Sequence, residues 1–559
     1  VPPLDPREND PASDLSMVSR GALPQPSSLI PPLTAIFASL VTRRALLSLF
    51  LGVVAGGFVM AEEFLRGPVE TLALYSAPLF DDFRVSVVLF VLFLVGMIGV
   101  ITRAGGIQAF VQLLVRRSQG ARSTRIATVL MGFLIFFDDY SNSVIVGTSM
   151  RPLSDKMRIP REKLAYLIDS TAAPVAGIAI FSTWIGYEVS QYQSALAAVA
   201  PELVDHAYGL FIQTIPLRFY CLFTLIFVLA NAFLSRDYGP MATAEERAAS
   251  TGQLVRPGGN PLTSREFTEL SASPGVKPRI SMALLPILLV LVLMAVGFWF
   301  VGQGVPRFAV DGWRSFSLEG LGKTLNSKYT MHVATAAALG GSLLAILLAW
   351  GKCGVSLRET LRAWLVGFRS LLLAVAILFS AWALAGACGA LSTGNYLVSV
   401  VGESLPLVWQ PAVFFLLACV MAFATGTSWG TMGILLPISI PIVYYAEGGE
   451  IGPVTLLSFG AVLEGSIFGD HCSPISDTTV LSSVAAGSDH LDHVRTQIPY
   501  ALTTMILAVG VGYLPVAHGI YPAWVAILLG GVACVLVLWL LGRRSPDGWP
   551  EAQPDQGRL

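Results

Sequence analysis

Residues 124–150 read TRIATVLMGFLIFFDDYSNSVIVGTSM, an apolar stretch of membrane-spanning length that is interrupted at its middle by two aspartates and further polar residues. Both flanks are basic, with five arginines in residues 103–125 and five lysines and arginines in residues 151–163. Because Lys and Arg collect on the cytoplasmic side of membrane proteins, both ends of the stretch are expected on that side. The stretch is therefore predicted to enter the membrane and return as a helical hairpin.

Uninterrupted apolar runs dominate the rest of the chain. Of its 559 residues, 54% are apolar and only 13% are charged, and 35 Lys and Arg balance 36 Asp and Glu. These figures exclude a disordered chain, a coiled coil and a nucleic-acid-binding protein. About ten runs have the length of about 20 residues that a membrane-spanning helix requires, at 44–61, 85–102, 164–186, 209–234, 280–301, 330–350, 364–390, 454–483, 496–516 and 522–541. The predicted fold class is an all-α polytopic membrane protein, embedded in the lipid bilayer, with about ten full transmembrane helices.

A second interrupted apolar stretch lies at 411–446. Its flanks, 391–410 and 447–453, contain no Lys or Arg and are expected outside the cell. Five full spans separate the two interrupted stretches, so the second hairpin is predicted to enter from the opposite side. The two halves also resemble each other at an offset of 300, where PVAGIAIFST (174–183) matches PISDTTVLSS (474–483). Two opposed re-entrant hairpins in an inverted repeat are the design of many secondary transporters.

Composition and charge divide the chain into expected segments. They are a disordered N-terminal tail (1–28), a first transporter repeat (29–235), a cytoplasmic linker (236–279), a second transporter repeat (280–541) and a C-terminal tail (542–559). Basic residues place the linker and the C-terminal tail in the cytoplasm, and the N-terminus is expected on the same side. The six cysteines lie far apart and form no CxxC pair, so neither a disulfide framework nor a zinc site is expected.

Polar clusters inside the apolar stretches supply the candidate functional residues. Charged groups at membrane depth are costly and are usually functional. The candidate ion- and proton-binding residues are Asp138, Asp139, Asn142, Ser143, Asp169, Thr171, Thr427, Ser428, Glu464, Asp470, Ser473 and Asp477. Oxygen atoms dominate this set, which favours a hard monovalent cation such as Na⁺ over a transition metal. A buried carboxylate can hold either a proton or Na⁺, and that competition is sufficient for exchange.

Simpler roles for several polar residues remain open at this stage. Asp138 and its neighbours could cap two half-helices, and Asp169 lies only about six residues beyond a basic loop, near the membrane surface. Glu188 is expected to face external water. His490 and His493, which flank Asp492 near a helix end, are expected on the protein surface.

Four motifs resemble the NhaC family of Na⁺/H⁺ antiporters, within the ion transporter superfamily. They are FFDDYSNSVIVGTSMRP (136–152), REKLAYLIDSTAAPVAG (161–177), GTSWGTMGILLPISIPI (426–442) and FGDHCSPISDTT (468–479). The resemblance covers about residues 30–540. It implies an inner-membrane secondary transporter with opposed hairpins, alternating access and often a homodimer. The transported Na⁺ and H⁺ are then the only ligands, and no resident cofactor is expected.

Two transport functions follow, and other classes are disfavoured. The leading hypothesis is exchange of Na⁺ or Li⁺ for H⁺. The alternative is Na⁺- or H⁺-coupled transport of a small organic anion or amino acid, with Tyr140, Arg151 and Trp184 as possible contacts, although Arg151 is more simply a topology anchor. None of the six histidines begins an HExxH motif, and the paired motifs of aspartyl intramembrane proteases are incomplete. An enzyme is therefore not expected, nor is a channel.

Overall fold

The computed structural model describes residues 25–42, 45–61, 63–117, 120–180, 182–261, 276–301, 329–370, 372–393, 396, 405–474 and 476–544. The described chain is almost wholly helical, which confirms the predicted all-α class. Its strands are a short antiparallel pair, β1 (Arg236–Asp237) and β2 (Arg543–Arg544). Most of the two predicted tails, residues 262–275 of the predicted linker and residues 302–328 lie outside the described residues.

The α-helices range in length from 4 to 24 residues. Those of the first half are α1 (Ile30–Thr42), α2 (Ala45–Met60), α3 (Gly67–Ser76), α4 (Asp82–Arg103), α5 (Gly106–Arg117), α6 (Ala121–Leu134), α7 (Asp139–Lys156), α8 (Arg161–Asp169), α9 (Ala173–Ile178), α10 (Thr183–Val199), α11 (Ala207–Thr214), α12 (Phe219–Leu234) and α13 (Gly239–Thr251). Those of the second half are α14 (Ser281–Val301), α15 (Thr330–Cys353), α16 (Leu357–Ser370), α17 (Leu372–Ala390), α18 (Gln410–Thr425), α19 (Ser428–Ala446), α20 (Pro453–Cys472), α21 (Asp477–Ala486), α22 (His490–Leu507), α23 (Leu514–Ala517) and α24 (Ala523–Leu541). A π-helical segment, Ala508–Tyr513, joins α22 to α23.

The number of membrane spans differs from the sequence expectation. Within the described ranges, seven helices are long and apolar enough to cross a membrane, or up to nine if each of two bent pairs is one span. The runs at 44–61 and 364–390 contain only shorter apolar helices, and the run at 454–483 is broken between α20 and α21. The polytopic membrane class is thus confirmed, whereas the count of about ten full spans is not, because several runs are interrupted rather than continuous.

Both interrupted stretches predicted from the sequence are broken at their polar clusters. In the first, α6 ends at Leu134 and α7 begins at Asp139, and in the second only two residues separate α18 from α19. The sequence match between 174–183 and 474–483, at an offset of 300 residues, does not align the breaks around α9 with the break between α20 and α21. Pro174 lies in the first turn of α9, where a missing N–H is tolerated, whereas Pro474 lies in the non-helical stretch between α20 and α21.

Small residues allow the helices around these breaks to pack closely. Gly465 and Gly469 of α20 face α18, and a Cβ on Gly469 would lie 2.6 Å from the carbonyl oxygen of Cys419. Similarly, Gly147 of α7 lies directly against Ala485 of α21. Such small residues at four-residue spacing are typical of membrane helix interfaces. By contrast, only 22% of an apolar 18-residue segment is buried within the protein in each of α14 and α24, as expected for helices that face lipid.

The first part of the segment expected to be a linker is folded onto the helices. Helix α13 buries Met241, Ala244 and Ala248. Glu245 of the same helix accepts a hydrogen bond from Arg125 Nη2 at 2.7 Å. The polar and charged residues of 236–251 therefore contribute to packing, which their composition alone did not indicate.

Candidate functional site

Four helices begin directly after a break in an apolar stretch, and each of them has a polar N-cap residue. They are α7, α10, α19 and α21. Asp138, Ser182, Thr427 and Ser476 each accept a hydrogen bond from the backbone N–H three residues further along, at 2.8, 3.3, 3.3 and 3.4 Å. An N-cap satisfies one of the backbone donors that a helix end leaves without a partner. Asp138 and Thr427, two of the predicted ion ligands, therefore have this structural role.

Asp138 also joins the first hairpin to α10. One carboxylate oxygen accepts from the Ser141 hydroxyl at 2.6 Å, and the other accepts from the Thr183 hydroxyl at 3.1 Å. The Thr183 N–H donates to the carbonyl oxygen of Phe137 at 2.8 Å. The break at 135–138 thus contacts the start of α10 directly, and two interrupted elements of the first half meet at this point.

Asn142 holds the first break in shape. Its Nδ2 lies 2.8 Å from the carbonyl oxygen of Gly132, 3.1 Å from that of Ile135 and 2.9 Å from that of Thr171. An end of the side chain that faces three carbonyl oxygens must be the NH₂ group, so the orientation of the amide is determined by its surroundings. The Oδ1 atom then points elsewhere, and among the described residues this buried oxygen has no hydrogen-bond partner.

Asp169, at the end of α8, lies where the two halves of the chain meet. Its carboxylate accepts from Gln497 Nε2 at 2.7 Å and from the Ser482 hydroxyl at 3.3 Å, and His493 Nε2 lies 3.9 Å away. The Ser482 hydroxyl also lies 3.2 Å from that of Ser143 on α7. All five side chains are buried, so this cluster is enclosed in the conformation described.

A second enclosed cluster surrounds the break between α20 and α21. Asp470 accepts from the hydroxyls of Ser476 and Thr478 at 2.7 and 3.2 Å. The next residue, His471, has hydroxyl partners at both ring nitrogens, Ser170 at 3.1 Å and Tyr220 at 2.7 Å. Gln497 Nε2 also donates to the backbone carbonyl of His471, which connects this cluster to Asp169.

The remaining candidates of the interrupted helices lie around these two clusters. The Thr171 hydroxyl, in the break between α8 and α9, donates to the carbonyl of Leu167 in α8 at 2.8 Å, and the Ser473 hydroxyl donates to the carbonyl of Phe423 at 2.8 Å. Asp139 and Ser428 are buried in the first turns of α7 and α19. Asp477 begins α21, but its side chain lies outside what the structure describes.

Glu464 belongs to a separate buried group of charges. One carboxylate oxygen accepts from the backbone N–H of Cys221 at 2.5 Å, and the other has no hydrogen-bond partner among the described residues. Nearby, Arg218 and Glu188 form a bidentate ion pair with distances of 3.0 and 2.8 Å. Glu188, Arg218 and Glu464 are all fully buried. The expectation that Glu188 faces external water is wrong, because Arg218 provides a partner inside the protein.

The three possible contacts for an organic solute do not lie together. Tyr140 and Arg151 are eleven residues apart on the same helix, α7, which separates them by roughly 16 Å along its axis. The Tyr140 side chain is partly exposed, and the Arg151 guanidinium packs against Gly487. Trp184 is buried, with its ring edge-on to Trp429 at a centroid distance of 6.2 Å.

Several residues of the site were not singled out from the sequence. Gln497 lies in an apolar run, and His493 was expected at the surface, yet both are fully buried and bonded to each other at 2.8 Å. The surface expectation for His493 is therefore wrong. A Gln four residues after a His on one face of a helix is the local signal that could have indicated a shared buried position.

The donor set suits an alkali cation better than a metal cofactor. Within the described ranges, no group of three or more His, Cys, Asp and Glu residues is placed to hold a metal ion. The groups around the Asp169 carboxylate are the hydroxyls of Ser482 and Ser143, the amide of Gln497 and, at 3.9 Å, the ring of His493. A polytopic helical fold with broken helices that meet at buried acidic residues is the architecture of a secondary transporter.

Comparison with known proteins gives the family. The sequence profile described as the Na⁺/H⁺ antiporter family matches residues 175–516, and the chain belongs to this family. The resemblance drawn from the four motifs is confirmed. The chain is a multi-pass membrane transporter of the antiporter type.

Three individual proteins illustrate the relationship. An uncharacterized protein of Haemophilus influenzae is 32% identical over 529 residues, covering 92% of this chain and 95% of the relative. The malate-2H⁺/Na⁺-lactate antiporter of Bacillus subtilis is 35% identical over 186 residues, covering 31% and 38%. The YdaH transporter of Alcanivorax borkumensis has a similar fold, with a TM-score of 0.52 at 15% identity over 92% of this chain and 100% of that one.

Proposed function

We propose that the protein exchanges Na⁺ or Li⁺ for H⁺ across the cytoplasmic membrane by alternating access, with Asp169 carrying the exchanged ion. The observation that supports this proposal best is the position of the Asp169 carboxylate. It belongs to the first half of the chain, and its hydrogen bonds from Ser482 and Gln497 come from the second half. A change in the charge of this carboxylate therefore acts on the contact between the two halves.

The exchange follows from competition for one carboxylate. When Asp169 is ionised, its oxygens and nearby neutral oxygens form a site for a small hard cation, and the unpartnered Oδ1 of Asn142 is a further candidate ligand. When a proton binds Asp169, the negative charge that holds the cation is lost. Each transport step then carries one of the two ions, because the Asp169 carboxylate does not bind a proton and a cation well at the same time.

The arrangement in the membrane completes the proposal. The first interrupted stretch (124–150) enters from the cytoplasmic side and returns to it, and the second (411–446) begins and ends on the external side, as the distribution of basic residues favours. The two helices of the second stretch, α18 and α19, are each long and apolar enough to reach across the membrane. The two stretches form part of an inverted repeat, with both termini in the cytoplasm. Broken helices at membrane depth leave backbone groups that can serve an ion path.

Transport of an organic solute is the second candidate, because a relative that matches part of this chain is named a malate-2H⁺/Na⁺-lactate antiporter. The separation of Tyr140 from Arg151 along α7 speaks against it, since one small solute would not contact both. The enclosed cluster around Asp169 also favours an ion-sized cargo, because its side chains are almost fully buried.

One experiment separates the two candidates. The full chain is reconstituted in liposomes that contain a pH-sensitive dye and have an acidic interior. Addition of Na⁺ or Li⁺ alone is expected to raise the interior pH, whereas K⁺ and protein-free liposomes serve as controls. If Na⁺ and Li⁺ fail alone but malate, lactate or an amino acid restores the signal, the cation-exchange proposal is wrong.

A further inference from the structure

The helix α16 is amphipathic and is anchored to the membrane helices by one face. Trp364 donates through Nε1 to the Ser342 hydroxyl of α15 at 2.7 Å. Glycines allow close contact with α4, since a Cβ on Gly99 would lie 2.6 Å from the carbonyl oxygen of Ala363, and one on Gly367 would meet the Val95 carbonyl oxygen at 2.7 Å. The position of α16 is therefore fixed by tight packing rather than by its own hydrophobicity.

The free face of α16 carries two parallel stripes. Leu357, Leu361 and Leu365 are 45%, 44% and 52% exposed, and their four-residue spacing places them in one row along the helix. Arg358 and Arg362 form a second row with the same spacing, one position further around the helix, and both are exposed. An apolar row beside a basic row is typical of a helix at the boundary between lipid tails and headgroups.

A cavity of about 970 Å³ opens between this helix and the end of α4. It is lined by three arginines, Arg103, Arg358 and Arg362, and by one acid, Glu359. Arg103 and Glu359 pair with each other at 3.0 Å. Within the described ranges, Arg358 and Arg362 have no such acidic partner, so the cavity has a net positive charge.

The start of α16 adds to this positive character. Ser356 also lines the cavity, and its hydroxyl accepts from the backbone N–H of Glu359 at 3.2 Å. The positive end of the helix dipole therefore faces the same space as the two arginines. Arginine pairs well with phosphate through two parallel hydrogen bonds.

We propose that this cavity binds an anionic phospholipid, with the phosphate held between Arg358 and Arg362 and an acyl chain lying along Leu357, Leu361 and Leu365. The leucine row favours a lipid over a free phosphate ion, because an acyl chain can cover an apolar surface and a free ion cannot. Residues 351–362 are basic and are expected on the cytoplasmic side, where basic pockets between membrane helices meet anionic headgroups.

The test uses the purified full chain in dodecyl maltoside, titrated with dioleoylphosphatidylglycerol or with dioleoylphosphatidylcholine. The anionic lipid is expected to raise the apparent melting temperature, with an affinity that falls at least fivefold in Arg358→Gln/Arg362→Gln. The charge-conserving variant Arg358→Lys/Arg362→Lys should recover part of that affinity. Because both arginines are exposed, all of these variants are expected to fold.

One control variant and one further variant of the site distinguish this site from nonspecific lipid binding. Arg543→Gln/Arg544→Gln removes two exposed arginines after α24 and should bind the lipid as the wild type does. Leu361→Ser/Leu365→Ser keeps the arginines but should also weaken lipid binding. The proposal is wrong if phosphatidylcholine stabilises equally, if inorganic phosphate reproduces the effect, or if the Arg543 and Arg544 control loses as much affinity as the α16 variant.

Discussion

Replacing Asp169 with Asn removes the charge of the proposed ion carrier while leaving its shape. The new Oδ1 can accept from Gln497 Nε2, 2.7 Å from the present carboxylate, and the new Nδ2 can donate to the Ser482 hydroxyl at 3.3 Å. Ser482 remains able to donate to Ser143 at 3.2 Å. The two hydrogen bonds that Ser482 and Gln497 make with this side chain are retained, so stability should change by no more than about 1 kcal/mol.

The effect on transport should be far larger. A cation about 4 Å from a carboxylate gains about 4 kcal/mol where the effective dielectric constant is near 20. Loss of that interaction corresponds to about a thousandfold weaker cation binding. Asn also cannot release a proton in this range, so Asp169→Asn is expected to abolish exchange.

The assay combines the dye-loaded liposomes with a thermal unfolding measurement of the same preparation. Asp155→Asn is a matched control, because Asp155 is a partly exposed acid that pairs with Arg161 at 3.2 Å away from the buried clusters. It should exchange Na⁺ for H⁺ at the wild-type rate. Near-normal exchange by Asp169→Asn, in protein of unchanged stability, would refute the role of Asp169.

Two further expectations concern buried charges outside the Asp169 cluster. Arg218→Met leaves Glu188 buried without its ion-pair partner and should lower the free energy of unfolding by about 3–5 kcal/mol, whereas Glu188→Leu/Arg218→Met should lower it less. The relative stability of the variants is measured as the fraction of protein that stays monodisperse in detergent after heating. A Glu188→Leu/Arg218→Met variant as unstable as Arg218→Met would contradict this expectation. Burial by itself raises the pKa of Asp237, but Lys163 at 2.5 Å and Arg125 outweigh burial and bring the pKa down to about 2. Because the folded pKa lies below the usual value of 3.8, the stabilisation is complete above that value and is lost as the pH falls towards 2. The melting temperature of wild type minus that of Asp237→Asn should therefore be constant between about pH 5 and 8 and shrink below about pH 4, and a change within the upper range contradicts this assignment.

Much of the architecture could be predicted because its signals are local. The polar cluster at 138–143 marks the break between α6 and α7, and ATGTSWGTMG marks the break between α18 and α19. Length and hydropathy predicted a polytopic helical protein, but not which apolar runs are continuous. The run at 364–390 begins inside α16, an amphipathic helix that ends at Ser370, because one apolar face is enough to raise the average hydropathy of a short segment.

Some residues of the candidate site could also be predicted from local sequence signals. Asp169, Asn142 and Asp470 are polar within apolar surroundings, and each lies at or beside a helix break in the structure. Their partners could not be identified in this way. Gln497 is 328 residues from Asp169 along the chain, and nothing in either local sequence indicates that the two side chains meet.

The sequence by itself determined that this chain is a polytopic membrane protein, because hydropathy acts over a few residues, and its four motifs carried the resemblance to the antiporter family. Polar clusters also located the interruptions in 124–150 and 411–446, but no local signal located the break between α20 and α21. Only the tertiary structure decided which buried charges form ion pairs with each other and which are held by neutral hydrogen-bond donors. Glu188 and Arg218 lie 30 residues apart and form a closed pair, while Asp169 is joined to the other half of the chain by neutral donors. The physical reason is that the role of a buried charge depends on its partners within a few ångströms, and folding brings those partners from distant parts of the sequence.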